Sequence, residues 1–243
     1  PKTFETGAFL SITNEKIKSF DGQKHQIKNL RLIENGDKKV DNSLGNSVGL
    51  FGWMKGTDKT IALKDIYLVN PYVKGSMNSG NVGALAGYLE KAKLENCRVY
   101  LDDNGIKIEN AENNKKELGI AANTSNGASV GGLVGMAKLV TFEQCFASLP
   151  RIQGSPDNNS KGNTGGLVGQ VLSYSGGTSI SEFKKCYADT SDLSGYNVGG
   201  FIGFGAGAID IQNCYAVGTI TSAAGIKAGF STKLLGNAYT CYS

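Results

Sequence analysis

The sequence reads GGLVG at Gly165–Gly169 and FKKCYA at Phe183–Ala188, then GGFIG at Gly199–Gly203 and IQNCYA at Ile211–Ala216. Two motifs therefore alternate along the chain, one rich in glycine and one centred on a Cys-aromatic pair. Self-similarity over a few tens of residues is the signature of a repeat architecture, in which each repeat buries its apolar face against its neighbours.

The glycine motif extends through most of the chain. Its five copies are Val48–Gly52, Gly83–Gly87, Gly131–Gly135, Gly165–Gly169 and Gly199–Gly203, with steps of 35, 48, 34 and 34 residues between the final glycines. The long step contains a polar stretch, Glu109 to Ser125, which we interpret as a surface loop inserted into one repeat. The motif alone does not settle which of Leu133 and Val134 faces inward.

The second motif occurs in six copies whose columns reveal strand geometry. The copies begin at Leu63, Leu94, Phe142, Phe183, Ile211 and Leu235. The first position is apolar, the next two are mostly polar, and the last three alternate in character with period two. That alternation predicts a strand, and the polar pair before it predicts a corner. The fourth and sixth positions should face inward and the fifth outward.

The fourth column predicts a stack of buried, reduced thiols. It contains Ile66, Cys97, Cys145, Cys186, Cys214 and Ala238. Stacked neighbours should lie about 4.8 Å apart, which exceeds the roughly 3.8 Å between Cβ atoms that a disulfide prefers. Cys241 lies three residues beyond this column and is expected to be exposed or terminal.

The fifth column is the candidate binding site. It contains Tyr67, Arg98, Phe146, Tyr187, Tyr215 and Tyr239, which should form an outward ladder of stacked rings. One interpretation is structural, because stacked rings shield the backbone and stabilise one another. The other is functional, because an exposed aromatic strip could dock sugar rings or apolar side chains of a partner.

The two motifs together are similar to the GLUG motif of bacterial adhesins and of certain immunoglobulin A proteases. The stretch from Phe20-Asp21-Gly22 through Ile27–Leu30 also resembles the segment that precedes such repeats. The resemblance implies an extracellular, right-handed β-solenoid. It weakens at both ends, where the first copy has Ile66 in place of cysteine and the glycine motif degenerates after Gly229, as capping coils would.

The predicted fold is therefore all-β, a right-handed parallel β-solenoid of about six to seven coils with inserted surface loops. The chain has 34 glycines and 4 prolines with 40% hydrophobic residues, which favours a β-rich fold with many turns over disorder or collagen. We expect one domain over 1–243, with lead-in coils over 1–47, repeats over 48–226 and a degenerate C-terminal coil over 227–243. Because the sequence starts at Pro1 and not at a methionine, we expect the chain to be a piece of a larger protein.

Signals for catalysis are weak in this sequence. Two GxSxG matches, Gly45–Gly49 and Gly127–Gly131, fall at the entry to the glycine motif, where a nucleophile elbow would need a strand, a turn and a helix. His25 is the only histidine. The acidic residues Asp102, Asp103, Glu109 and Glu112 lack the spacing of known calcium loops and are expected in a solvated loop. We therefore expect no enzyme, no metal and no cofactor.

The net charge of +4 is too mild to indicate nucleic-acid binding, and no apolar run is long enough to cross a membrane. We expect a monomeric, secreted or cell-surface module or stalk that binds host or cell-surface proteins or glycans. Two alternatives are a structural spacer beside a separate catalytic domain, such as a protease, and a carbohydrate-active β-helix enzyme.

Overall fold

The computed structural model describes residues 12, 17–34, 47–57, 60–76, 80–102, 118–122, 127–155, 161–173 and 180–243. In these residues all regular secondary structure is β-strand. The same residues contain no helix that could span a membrane.

The strands form three sheets, in which all pairings are parallel. Sheet A has ten strands: β1 Ser19–Asp21, β5 Phe51–Lys55, β6 Ile61–Lys64, β10 Ala86–Glu95, β14 Val134–Glu143, β17 Val168–Leu172, β18 Ser181–Lys184, β21 Ile202–Gly205, β22 Ala208–Gln212 and β25 Leu235–Tyr239. Sheet B has nine: β2 Gln26–Lys28, β3 Arg31–Ile33, β7 Tyr67–Val69, β8 Tyr72–Gly75, β11 Arg98–Tyr100, β12 Gly119–Ala122, β15 Phe146–Gln153, β19 Tyr187–Gly195 and β23 Tyr215–Ala223. Sheet C has six: β4 Ser47–Val48, β9 Asn81–Gly83, β13 Ser129–Gly131, β16 Asn163–Gly165, β20 Asn197–Gly199 and β24 Lys227–Ala228.

The chain visits sheets C, A and B in turn and then returns to sheet C; we call one such circuit a pass. Each strand pairs with the equivalent strands of the passes before and after it. Gly131 pairs with Gly83 and Gly165 in sheet C, and Phe142 pairs with Leu94 and Phe183 in sheet A. The repeats of the sequence are thus the passes of the structure, and the expected all-β fold with parallel strands is confirmed.

The predicted corner lies between sheets A and B, at the third position of the Cys-aromatic motif. One residue there adopts a left-handed conformation in each of six passes, with φ between 52° and 55°: Asp65, Asn96, Gln144, Lys185, Asn213 and Thr240. The left-handed residue turns the chain out of one sheet and into the next. The apolar first position and the cysteine then both face the interior.

Side chains of equivalent positions stack along the interior. Phe142 and Phe183 lie with their ring centroids 4.6 Å apart and their planes within 5° of parallel, and Phe183 meets Phe201 edge to face at 5.6 Å. The sequence alone did not settle which of Leu133 and Val134 faces inward. In the structure both side chains are fully buried.

The glycine motif is explained by close backbone approach between sheets C and A. A Cβ atom at Gly169 would lie against the backbone nitrogen of Val130 and 2.6 Å from the carbonyl oxygen of Gly135. Such contacts are closer than real Cβ atoms make, and the neighbouring atoms belong to backbone. The motif therefore requires glycine because no side chain fits between the two sheets.

The register predicted for the last copy of the Cys-aromatic motif is wrong by three residues. Ala238, not Leu235, pairs with Ile211, and Tyr239 pairs with Gln212. The motif is therefore AYTCYS, from Ala238 to Ser243, with Cys241 at the end of the cysteine column. Leu235 resembled the apolar first position, but it pairs with Ala208 and is 47% exposed.

Part of the predicted inserted loop is a strand. Gly119–Ala122 forms β12, which pairs with β8 and β15 in sheet B. The rest of Glu109 to Ser125, apart from Leu118, lies outside the described residues.

A sixth copy of the glycine motif exists as AGFST at Ala228–Thr232, where Gly229 is the one glycine. The Phe230 carbonyl nevertheless accepts hydrogen bonds from the amides of Phe201 and Ile202, at 2.8 and 3.0 Å. The Leu167 carbonyl accepts the equivalent pair from Leu133 and Val134. The last pass therefore keeps the backbone pairing of the motif after most of its glycines are gone.

Candidate functional site

The aromatic column on the outer face of sheet B forms a continuous stack. Ring centroids lie 4.5 Å apart between Phe146 and Tyr187, 4.9 Å between Tyr187 and Tyr215, and 5.2 Å between Tyr215 and Tyr242. The ring planes in these three pairs are within 10° of parallel. Parallel pairing without a register shift at this position superposes one ring on the next.

Arg98 replaces a ring in the third pass and keeps the stack continuous. Its guanidinium carbon lies 4.9 Å from the ring centroid of Tyr67 and 5.2 Å from that of Phe146. Arg98 Nε donates a hydrogen bond to Asn96 Oδ1 at 2.8 Å, and Asn96 Nδ2 donates to the Tyr67 hydroxyl oxygen at 2.8 Å and to Asp65. The guanidinium is thereby held over both rings.

The column faces outward and the cysteines face inward, as the period-two pattern predicts. Phe146, Tyr187 and Tyr215 are half-buried, whereas Cys145, Cys186 and Cys214 are fully buried. All five cysteines are unpaired thiols. Each Sγ of the column, as in Cys145 with Glu143 at 3.3 Å, contacts the carbonyl oxygen two residues earlier, at the corner.

The environment of the thiol column lowers the reactivity of its cysteines. Burial is the largest effect that raises the pKa of Cys145 and Cys186, and the neighbouring Cys145 thiol, followed by burial, raises the pKa of Cys97. A thiolate is the reactive form of cysteine, so these shifts suppress nucleophilic and oxidative chemistry. The column fills the interior as small apolar side chains do.

The ladder presents ring edges, not ring faces, to solvent. Each internal ring has a neighbour about 4.5–5.2 Å away on both of its faces, as Tyr187 has Phe146 and Tyr215. Sugar rings and apolar side chains bind aromatic side chains chiefly on their faces. Among the described rings of the ladder, Tyr242 at its C-terminal end differs, because it is 64% exposed and stacks on Tyr215 through one face.

The same environment raises the pKa of two phenols in the ladder. Desolvation is the first cause that raises the pKa of Tyr187 and of Tyr215, and the neighbouring phenol is the second in each case. Both phenols therefore remain neutral at physiological pH, as hydrogen-bonding groups at the outer rim of the stack.

One predicted member of the ladder does not belong to it. Tyr239 lies on β25 in sheet A and is 56% exposed, and Tyr242 occupies the ladder position assigned to it. Tyr67, Phe146, Tyr187 and Tyr215 are brought together as predicted. The sequence does contain the missed signal, because Cys241-Tyr242 repeats the Cys-Tyr pairs of Cys186-Tyr187 and Cys214-Tyr215.

The serines of the GxSxG matches do not form a nucleophile site. Ser47 and Ser129 lie on strands of sheet C and are buried, and Ser129 Oγ donates a hydrogen bond to Gln170 Oε1 at 2.9 Å. His25 is exposed and lies in the first pass, between β1 and β2. A nucleophile elbow requires a helix after the serine, and here the chain continues into sheet A.

Of the four acidic residues that the sequence singled out, the structure describes Asp102. Asp102 pairs with Lys28 at 3.3 Å, while Asp103, Glu109 and Glu112 lie outside the described residues. Across the part of the chain that the structure describes, no three His, Cys, Asp or Glu side chains are grouped so as to hold a metal ion.

One segment of the chain matches a known protein family. Residues 194–221 match the GLUG motif family, and they contain β20, β21 and β22 and most of β23. The match covers the fifth copy of the glycine motif and the Cys-aromatic motif at Ile211–Ala216, which confirms the resemblance on the residues that carry it.

Among solved structures, the chain is similar to a protein from Bacteroides ovatus that is provisionally named an immunoglobulin A1 protease. The similarity has a TM-score of 0.49 at 18% sequence identity and covers 90% of this chain and 68% of that chain. No curated protein matches the sequence.

Proposed function

We propose that this chain is a right-handed parallel β-solenoid that serves as a non-catalytic stalk and interaction module of a secreted or surface-exposed bacterial protein. The GLUG motif at 194–221 supports the extracellular assignment, and the parallel passes support the solenoid. With seven passes about 4.8 Å apart, the stack spans about 30 Å along its axis.

The observation that carries this proposal is the continuity of its side-chain columns. Thiols stack inside and rings stack outside through successive passes, and each internal ring of the ladder has its faces covered by its neighbours. A binding or catalytic site is usually local, whereas an arrangement that recurs at every pass stabilises the repeat itself. The ladder is therefore part of the scaffold, and we assign binding to the ends and loops.

Charged side chains on sheet A support a scaffold more than an enzyme. Lys93 pairs with Glu143 at 3.2 Å and Lys64 with Glu95 at 3.5 Å, so ion pairs link neighbouring passes. The glycosidases that share β-helical folds need two convergent carboxyl groups, one of them able to act as an acid. Ion pairs across adjacent strands instead favour the correct register.

Glu90 is the most enzyme-like carboxylate among the described residues, since it is only 2% exposed. It accepts a hydrogen bond from the Tyr88 hydroxyl at 2.6 Å, and Lys55 and Lys138 approach it at 3.8 and 3.9 Å from the passes on either side. Two flanking cations favour its ionised form. This carboxylate is thus a structural counter-ion between two lysines.

A turnover assay tests the proposal. The purified chain is incubated with a panel of bacterial and host polysaccharides and with peptide substrates, and products are separated by mass spectrometry. We expect no turnover. A product that forms with the surface control Glu95→Gln but not with Glu90→Gln would show that the chain is an enzyme and would contradict the proposal.

A further inference from the structure

Two neighbouring rings of the ladder are both phenols. Tyr187 and Tyr215 pair in register on β19 and β23, with ring centroids 4.9 Å apart and ring planes within 2° of parallel. Rings that are parallel and in register place equivalent atoms about one strand spacing apart. The ring carbons beside the two hydroxyl groups are therefore neighbours across the stack.

Stacking does not account for the hydroxyl groups of this pair. Phe146 stacks on Tyr187 at 4.5 Å without a hydroxyl, so a phenylalanine satisfies the geometry of the column. The hydroxyl of Tyr67 accepts a hydrogen bond from Asn96 at 2.8 Å, but no hydrogen bond joins the hydroxyl of Tyr187 or Tyr215 to another described residue. Both side chains are half-buried, with the hydroxyl ends at the outer rim. The two phenols are thus accessible to small molecules in solvent.

Adjacent phenols are the reactants of oxidative tyrosine coupling. An oxidant that removes one electron and one proton from each phenol leaves two phenoxyl radicals, whose unpaired electrons are shared with the carbons beside the oxygen. Two such carbons join in a carbon–carbon bond, and the hydrogen on each carbon then moves to the oxygen, which restores both phenols. The protein loses two hydrogen atoms in total, and one molecule of hydrogen peroxide takes them up to form two molecules of water.

We propose that Tyr187 and Tyr215 are an oxidative cross-linking site, at which a haem peroxidase with hydrogen peroxide joins the two rings as dityrosine. Proximity favours coupling within one chain, because each radical already has its partner ring beside it and need not meet another by diffusion. The outer edges of the rings must tilt towards each other, since a carbon–carbon bond is only about 1.5 Å long. These edges face solvent, so the tilt displaces no packed side chain.

The groups around the pair direct the oxidation to it. Phe146 bounds the pair on one side and has no phenol to oxidise. Cys186 and Cys214 precede the two tyrosines in the chain, but both are fully buried. Burial is the largest effect that raises the pKa of Cys186, which disfavours the thiolate that oxidants attack. Tyr242, which stacks on the other face of Tyr215 at 5.2 Å, is the remaining competitor.

The cross-link gives the chain a covalent bond between passes. The cysteine column does not supply one, because all five cysteines are unpaired thiols. Dityrosine between Tyr187 and Tyr215 closes a loop through one complete pass, so it restricts the unfolded chain as a disulfide does. This inference goes beyond the proposed function, since it concerns a modification of the ladder and needs no bound ligand.

Mass spectrometry of the oxidised chain tests the site. The purified chain is treated with a haem peroxidase and one equivalent of hydrogen peroxide, then denatured and digested. We expect a monomer that has lost two hydrogen atoms, dityrosine fluorescence, and one major pair of joined peptides that contains Tyr187 and Tyr215. Because the coupling is intramolecular, the fraction of cross-linked chain should not change when the protein is diluted about tenfold.

Substitutions between tyrosine and phenylalanine separate the phenols from the stack. Tyr215→Phe should preserve the Tm, because the stacked ring remains, and should abolish the cross-link to Tyr187. Tyr242→Phe is the matched control and should leave the cross-link between Tyr187 and Tyr215 unchanged. Phe146→Tyr should add a second product, a bond between position 146 and Tyr187, since those two rings are 4.5 Å apart.

Three results would overturn the cross-linking site. The first is a native monomer that keeps all its hydrogen atoms although the peroxide is consumed. The second is coupling between chains, seen as cross-linked dimers whose yield falls on dilution. The third is a bond from Tyr215 to Tyr242 in preference to Tyr187. None of these results depends on turnover of polysaccharides or peptides, so they leave the proposed function untouched.

Discussion

A single left-handed residue makes the corner between sheets A and B in six successive passes. The left-handed conformation costs an ordinary L-residue about 1–2 kcal/mol, and asparagine tolerates it better than most residues. Asn96 and Asn213 suit the position, whereas Gln144 and Lys185 are held there by the pairing of the sheets on either side. The corner therefore contains strain that substitution can relieve.

Lys185→Asn should stabilise the chain by about 0.5–1 kcal/mol, since it replaces a strained residue at φ 55° with one that adopts this conformation readily. Urea denaturation measures the change. The matched control is Lys184→Asn on β18, where asparagine is a poor strand residue and no gain is expected. Equal effects of the two substitutions would show that the corner is not strained.

Gly169→Ala should destabilise the chain by at least about 2 kcal/mol, because the added methyl group meets backbone atoms of Val130 and Gly135 that cannot move independently. Gly80→Ala is the control, since a Cβ atom there has no neighbour within 4 Å. Thermal denaturation of the two variants decides the point. A tolerated Gly169→Ala would mean that sheets C and A leave room for a side chain between them.

At the scale of the element, the ladder on sheet B is the feature whose role is open to direct test. Tyr187→Ser combined with Tyr215→Ser removes three stacked contacts. At about 0.5–1.5 kcal/mol per aromatic pair, stability should fall by about 2–4 kcal/mol. Tyr239→Ser, outside the ladder, should change stability by less than about 0.5 kcal/mol. Unchanged stability with lost ligand binding would make the ladder a docking strip.

The thiol column predicts a pH dependence of stability. Burial keeps Cys145 and Cys186 protonated in the folded chain because it raises their pKa, whereas an unfolded thiol ionises near pH 8.5. The contribution of these thiols to stability is therefore constant below about pH 8.5 and falls above it, by about 1.4 kcal/mol per pH unit for each such thiol. The slope between pH 8.5 and 9.5 should be shallower in Cys145→Ala; an identical slope would show that this thiol ionises in the folded state.

The sequence predicts those elements whose residues are fixed by contact with the neighbouring pass. Cys145 must be small and inward and Tyr187 outward, so their columns can be recognised from the aligned repeats alone. The register of the last copy was not predicted because Ala238 stands where the other copies have a large apolar residue, whereas Leu235 resembles that residue although it is exposed.

At the scale of the whole molecule, equivalent positions in neighbouring passes should be interchangeable. Gly165 and Gly199 pair in register, so deletion of residues 166–199 removes one pass and joins Gly165 directly to Gly200. Cys145 then stacks on Cys214 and Phe146 on Tyr215. We expect a folded chain with cooperative unfolding and slightly lower stability. The control deletion of residues 166–182 removes half a pass and should not fold; equal behaviour of the two deletions would refute a stack of passes.

Position-resolved thiol labelling tests the arrangement of the passes most directly. The native chain is exposed briefly to a maleimide, quenched and digested, and modification at each cysteine is read by mass spectrometry. We expect that half-buried Cys241 reacts first, that Cys97, Cys145, Cys186 and Cys214 stay protected, and that all five react after denaturation. Rapid native labelling of Cys145 or Cys186, or disulfides between members of the column, would contradict the stacked arrangement.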